Sequence, residues 1–127
     1  MLFDQKRVVL IDDDPIYLEI MRRYAELYSI ALDVFSCLDD LGFVGNLRSY
    51  DLAIIDYDLG VVGGEDIATY VDAFLPDLPI ILVSNSPRNP KLDRWPKSVK
   101  EFVLKEEGFV VPYLKATQHF KKSTTVL

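Results

Sequence analysis

Five short apolar runs, each followed at once by a polar side chain, constrain this chain more than any other feature. They are Val8–Ile11 before Asp12, Ile30–Phe35 before Ser36, Leu52–Ile55 before Asp56, Ile80–Val83 before Ser84, and Phe102–Leu104 before Lys105. Val8–Ile11, rich in β-branched residues and without polar alternation, reads as a strand buried on both faces, and the other four runs, the second interrupted by Asp33, also read as strands. Between them lie helical stripes. Asp14-Pro15 is a helix start, and Tyr17, Ile20, Met21, Tyr24 and Tyr28 follow at helical spacing. Ser36 and Asp39 form a capping pattern for a weaker second helix. Ile67, Ala68, Val71 and Phe74 give a third stripe, closed by Pro76, and a last helix is expected from Pro112 to Phe120. Strands alternating with helices imply an α/β domain with a parallel sheet, because parallel neighbours need long crossovers.

A length of 127 residues suits one such domain: residues 1–120, with a frayed tail over 121–127. Twenty acidic against 14 basic side chains leave a charge of −6, which disfavours direct nucleic-acid binding. Cys37 is the single cysteine, so neither a disulfide nor a thiolate zinc cage can form within the chain. His119 is the single histidine; it lies near the chain end in a Lys-rich stretch and reads as an exposed helix-end side chain, not as a triad base. The N-terminal apolar run has four residues and is closed by three acids, too short for a signal peptide or a membrane span. These features place the expected protein in the cytoplasm.

In an open parallel sheet, ligands bind outside the carboxyl ends of the strands, where the winding reverses. With the strand order 2-1-3-4-5 of a flavodoxin-like doubly wound sheet, that point lies between strands one and three, bringing Asp12, Asp13 and Asp56 together. Two unit charges about 4 Å apart repel by about 4 kcal/mol at an effective dielectric near 20. Such a cluster calls for a cation, and oxygen ligands with room for water or phosphoryl oxygen suit Mg²⁺. Lys105 and the Ser84 hydroxyl, from strands five and four, can bind the remaining oxygens of a phosphoryl group while a carboxylate attacks it. The chemistry expected is aspartyl phosphorylation.

VVLIDDDP, YDLAIIDYDLGVVGG, PIILVSNS and FVLK together resemble the receiver domains of bacterial two-component response regulators, over nearly the whole chain. The resemblance implies that Asp12 and Asp13 hold Mg²⁺, Asp56 accepts the phosphoryl group and also faces the metal, and Asp58 gives the metal its backbone carbonyl. It further implies that Ser84 and Lys105 bind phosphoryl oxygens, that Phe102 and Ser84 are the switch residues, Phe102 being the rotating aromatic, and that Gly64 is the loop glycine. The donor would be a sensor histidine kinase or a histidine phosphotransfer protein, and the recipient of the signal a downstream output protein or domain. Hydrolysis of the phosphoaspartate would be slow and self-catalysed, making the chain a signalling phosphoacceptor and not a turnover enzyme. No output module follows, so a stand-alone receiver and a fragment of a longer chain both fit. Three positions depart from the family: Gly60 and Glu106 replace prolines, and Asn85 replaces a small residue, which is expected to narrow access to Asp56.

Two other readings stay open. IIDYD also resembles the first motif of haloacid-dehalogenase-like phosphatases, with Asp56 as nucleophile and Asp58 as acid, although there the acidic pair lies downstream. A pseudo-receiver would act by protein contacts alone. A flavin site would need a phosphate-cradling loop where this chain has three acids. Tyr17, Tyr24, Phe74 and Tyr113 read as core packing. Finally, Pro87, Pro90 and Pro96 predict that Asn85–Lys100 forms no regular fourth helix, since an internal proline costs about 3 kcal/mol. Loss of that helix would weaken the family's homodimer face, with Trp95 either an exposed anchor or a packed side chain.

Overall fold

The computed structural model describes residues 5–60, 63–86 and 95–121. Five strands, β1 (Arg7–Ile11), β2 (Ala31–Phe35), β3 (Leu52–Asp56), β4 (Ile80–Ser84) and β5 (Val99–Leu104), form one sheet of order β2-β1-β3-β4-β5. Every pairing is parallel, with Ile11 level with Phe35 and Ile55, and Ser84 level with Leu104. The expected winding is therefore present. β3 and β4 are buried along their whole length, whereas the edge strands β2 and β5 are only partly covered. That gradient is what helices packed on both faces of a twisted sheet produce.

The helices are α1 (Pro15–Leu27), α2 (Leu38–Leu41), α3 (Gly64–Phe74) and α4 (Val111–Ala116), with 3-10 turns over Val44–Ser49 and Lys105–Glu107. On one face Met21, Ala25, Tyr113 and Ala116 pack on Val8, Leu10, Ile54 and Val83; on the other, Leu47, Ile67, Ala68 and Val71 pack on Val9, Ile55 and Leu82. Tyr113 crosses the first core and donates its hydroxyl proton to the Met21 carbonyl at 2.7 Å. No helix among the described residues is long and apolar enough to cross a membrane.

Several local expectations need correction. α2 is a single turn whose cap is Cys37; Ser36 instead donates to the Asp40 carboxylate at 2.8 Å, and Gly42 at φ +80° ends the turn. Phe74 is 56% exposed because Leu75, one residue on, takes the next inward position after Val71, leaving Phe74 stacked edge-on against Tyr70. β5 starts at Val99, three residues before Phe102, since pairing with β4 already begins where Ile80 N–H donates to Ser98 O. α4 stops at Ala116, where Thr117 turns its hydroxyl back onto the Leu114 carbonyl. His119 is not a free helix-end side chain but sits 3.0 Å from the Glu101 carboxylate on β5. Lys121 is tied to Asp51 O and Arg48 O, and residues 122–127 lie outside the described residues.

The segment expected to lack a fourth helix is described only in part. Asn85, Ser86 and Trp95 are bends, Lys97 and Ser98 form a turn, and 87–94 lie outside the described residues. Trp95 is half-buried against Tyr57 and Phe102, which matches the packed alternative.

Candidate functional site

The carboxyl ends of β1 and β3 lie side by side, and the acids that follow them divide into distinct roles. Asp12 is fully buried, and its Oδ1 accepts the Asp14 N–H at 2.9 Å. Asp13 points outward. Asp14 caps α1, accepting from Ile16 N–H at 3.0 Å and Tyr17 N–H at 3.3 Å, where Pro15 needs no partner. Asp56, 2% exposed, accepts the Asp58 N–H on Oδ1 at 3.0 Å. Asp12, Asp13 and Asp56 each present an oxygen, all within 4.8 Å of one another. A cleft of about 350 Å³ opens beside Asp13, between Ser36–Asp39 and Leu59–Gly60.

Lys105 projects from the turn after β5 with its side chain 8% exposed, its Nζ 2.7 Å from Asp12 Oδ2 and 3.7 Å from Asp56 Oδ2. The proline absent after Lys105 is replaced by a polar device: Glu107 accepts the Leu104 N–H at 2.8 Å, and Gly108, at φ +121°, donates to Lys105 O. The sequence reading did not foresee this role for Glu107; an acid two residues after the lysine was its only sign. Asp12 Oδ2 and Lys105 Nζ form a buried ion pair at 2.7 Å, and the Tyr17 hydroxyl, buried beside them, has no hydrogen-bond partner among the described residues.

Ser84 is buried at the end of β4 and donates its hydroxyl proton to Asp58 Oδ2 at 2.7 Å; the Asn85 N–H reaches the same oxygen at 3.0 Å. The Asp58 carboxylate thus belongs to the Ser84 end of the site and is not one of the three clustered acids. Asn85 itself is exposed. Phe102 lies on β5 with its ring edge-on to Tyr57 at 5.5 Å and tilted against Trp95 at 5.5 Å. Gly64 opens α3 against the end of β3: a Cβ there would lie 2.7 Å from the Asp56 carbonyl carbon and Tyr57 Cα. No side chain larger than hydrogen fits that approach.

Burial makes both inner carboxyls weaker acids. Asp56 is pushed up to about 6, mainly by desolvation and next by the Asp12 charge, against the Asp58 N–H and the Lys105 ammonium. Asp12 moves the same way by desolvation, opposed chiefly by Lys105. Among the described residues one ammonium, that of Lys105, faces three clustered carboxyls, and a hard divalent cation with three carboxylate oxygens on offer fits the site.

No protein-family model and no curated protein matches this sequence, whereas solved structures do. A signal receiver domain of an HD domain-containing protein from Pseudomonas fluorescens superposes with a TM-score of 0.79 at 14% identity, over 91% of this chain and 94% of that one. Chemotaxis protein CheY4 of Vibrio cholerae gives 0.78 at 11% identity, over 91% of this chain and 99% of that one. The response regulator TrrA of Thermotoga maritima, in complex with Mg²⁺-BeF, gives 0.72 at 21% identity, over 90% and 98%. With the strand order, the crevice and these superpositions in agreement, the chain has the CheY-like fold of response-regulator receiver domains.

Proposed function

We propose that this chain is a phosphoacceptor receiver of a two-component phosphorelay, taking a phosphoryl group onto Asp56 from a phosphohistidine on a sensor kinase or phosphotransfer protein. The observation that carries the reading is the meeting of Asp12, Asp13 and Asp56 oxygens within 4.8 Å, with the Lys105 ammonium against the two buried ones. An Asp56 carboxylate oxygen attacks phosphorus, the P–N bond to the donor imidazole breaks, and its electron pair stays on the ring nitrogen. Asp12, Asp13 and Asp56, with the Asp58 main-chain oxygen, are the residues that would hold Mg²⁺. Bound there, Mg²⁺ supplies positive charge to the phosphoryl oxygens as negative charge shifts during transfer. Lys105 leaves Asp12 for a phosphoryl oxygen, and Ser84 exchanges Asp58 for another. Phe102, level with Leu82 on β4 and packed against Tyr57, is the aromatic placed to respond to that exchange.

Intact mass after incubation with a small phosphodonor tests the reading. One phosphoryl increment should appear with Mg²⁺, vanish with chelator, and be absent from Asp56→Asn. Release of many equivalents of phosphate from a small ester would instead support a phosphatase, and no modification under any condition would leave a protein-contact module.

A further inference from the structure

Tyr17 reads from sequence as ordinary core, yet its surroundings are those of the site. It is 4% exposed, and its hydroxyl has no hydrogen-bond partner among the described residues. The Lys105 ammonium lies 4.3 Å from the centre of its ring. Phe109, in the connection that follows Lys105, packs on the same ring at 5.9 Å. The Asp14 cap that closes the acidic loop also fixes the Tyr17 N–H, so one short segment sets both Asp12 and this ring.

Resting on the phosphoacceptor reading, we propose that Tyr17 is a positioning residue whose ring face holds the Lys105 ammonium in the site when Asp12 is taken by a divalent cation. Asp12 Oδ2 is at once the nearest partner of Lys105 and part of the carboxylate cluster. A cation on Asp12 withdraws that partner and adds a like charge beside the ammonium. An aromatic face is negative at its centre, carries no charge that competes for the metal, and attracts a desolvated ammonium strongly. The ring thus keeps Lys105 where a phosphoryl oxygen arrives, while the carboxylates change partners around it.

The test uses the whole protein. Tyr17→Leu should slow phosphorylation by a small phosphodonor about tenfold, the rate equivalent of a strong desolvated contact of this kind. Tyr17→Phe should rescue the rate, since the ring and not the hydroxyl acts, and in a Lys105→Ala background Tyr17→Leu should cause no further loss. Should Tyr17→Leu fold poorly, Tyr17→Met serves, and the wild type offers an independent reading: Lys105 Cε protons should resonate upfield with Mg²⁺ bound, under the ring current. An unchanged rate in a folded Tyr17→Leu, an equal loss in Tyr17→Phe, full additivity with Lys105→Ala, or unshifted Lys105 protons would overturn the proposal. If the wild type takes no phosphoryl group, the phosphoacceptor reading fails by itself, and the Lys105 proton shift still decides whether the ring holds the ammonium.

Discussion

At the scale of single residues, the buried charge of Asp56 leaves a signature in stability. Its carboxyl titrates at about 6 in the folded chain against the ordinary 3.8 of an unfolded one. Between those values the native state binds more protons than the unfolded state, so stability falls as pH rises through the window and stays reduced above it. The shift corresponds to roughly 3 kcal/mol as an upper figure. Asp56→Asn removes the ionisation but keeps an oxygen for the Asp58 N–H, so without metal it should be more stable than wild type near pH 8 by up to about that amount. Urea unfolding in chelator at about pH 8 and about pH 4 checks this: the advantage should shrink towards the lower pH, and a pH-independent difference would contradict it. Gly64 makes the opposite prediction. Gly64→Ala drives a methyl into the backbone of Asp56 and Tyr57, which should cost about 1–3 kcal/mol and weaken Mg²⁺ binding together, as denaturation and metal titration of the same variant would reveal.

Between elements, the end of β5 carries two devices of opposite stiffness. The turn after Leu104 is pinned by Glu107, which holds the root of Lys105 without a proline. Phe102, three residues before Lys105, belongs to a cluster with Tyr57, directly after Asp56, and Trp95, directly before Pro96. Because Trp95 is the single tryptophan, rearrangement of Phe102 has a selective optical report. Beryllofluoride with Mg²⁺ should change Trp95 emission in wild type and leave Phe102→Ala unresponsive; an equal response in both would remove Phe102 from the switch.

Across the whole molecule, the sequence carried the architecture because the inner strands β1, β3 and β4 are nearly complete burial signals of their own. Val8–Ile11 and Ile80–Val83 can lie only in the middle of a covered sheet, and their order then determines where the winding reverses. That same logic brought Asp12, Asp13 and Asp56 together, since the crevice collects whatever follows β1 and β3. Legibility failed where two neighbours compete for one inward position, as with Phe74 and Leu75, and where side chains replace expected backbone chemistry, as with Glu107 for proline. It also failed at Tyr17, because helical spacing gives the same stripe for a tyrosine packed in the core and one facing an ammonium. The Asp58 side chain escaped too, its bond to Ser84 crossing from the loop after β3 to the end of β4. The proposed acceptor is Asp56 and no other acid of the cluster. Borohydride reduction of the phosphorylated protein converts an aspartyl phosphate to homoserine, and peptide mapping then locates it. Homoserine at position 56 alone is the predicted result; homoserine at Asp12, Asp13 or Asp58, or none at all in protein that has gained a phosphoryl increment, would contradict the account.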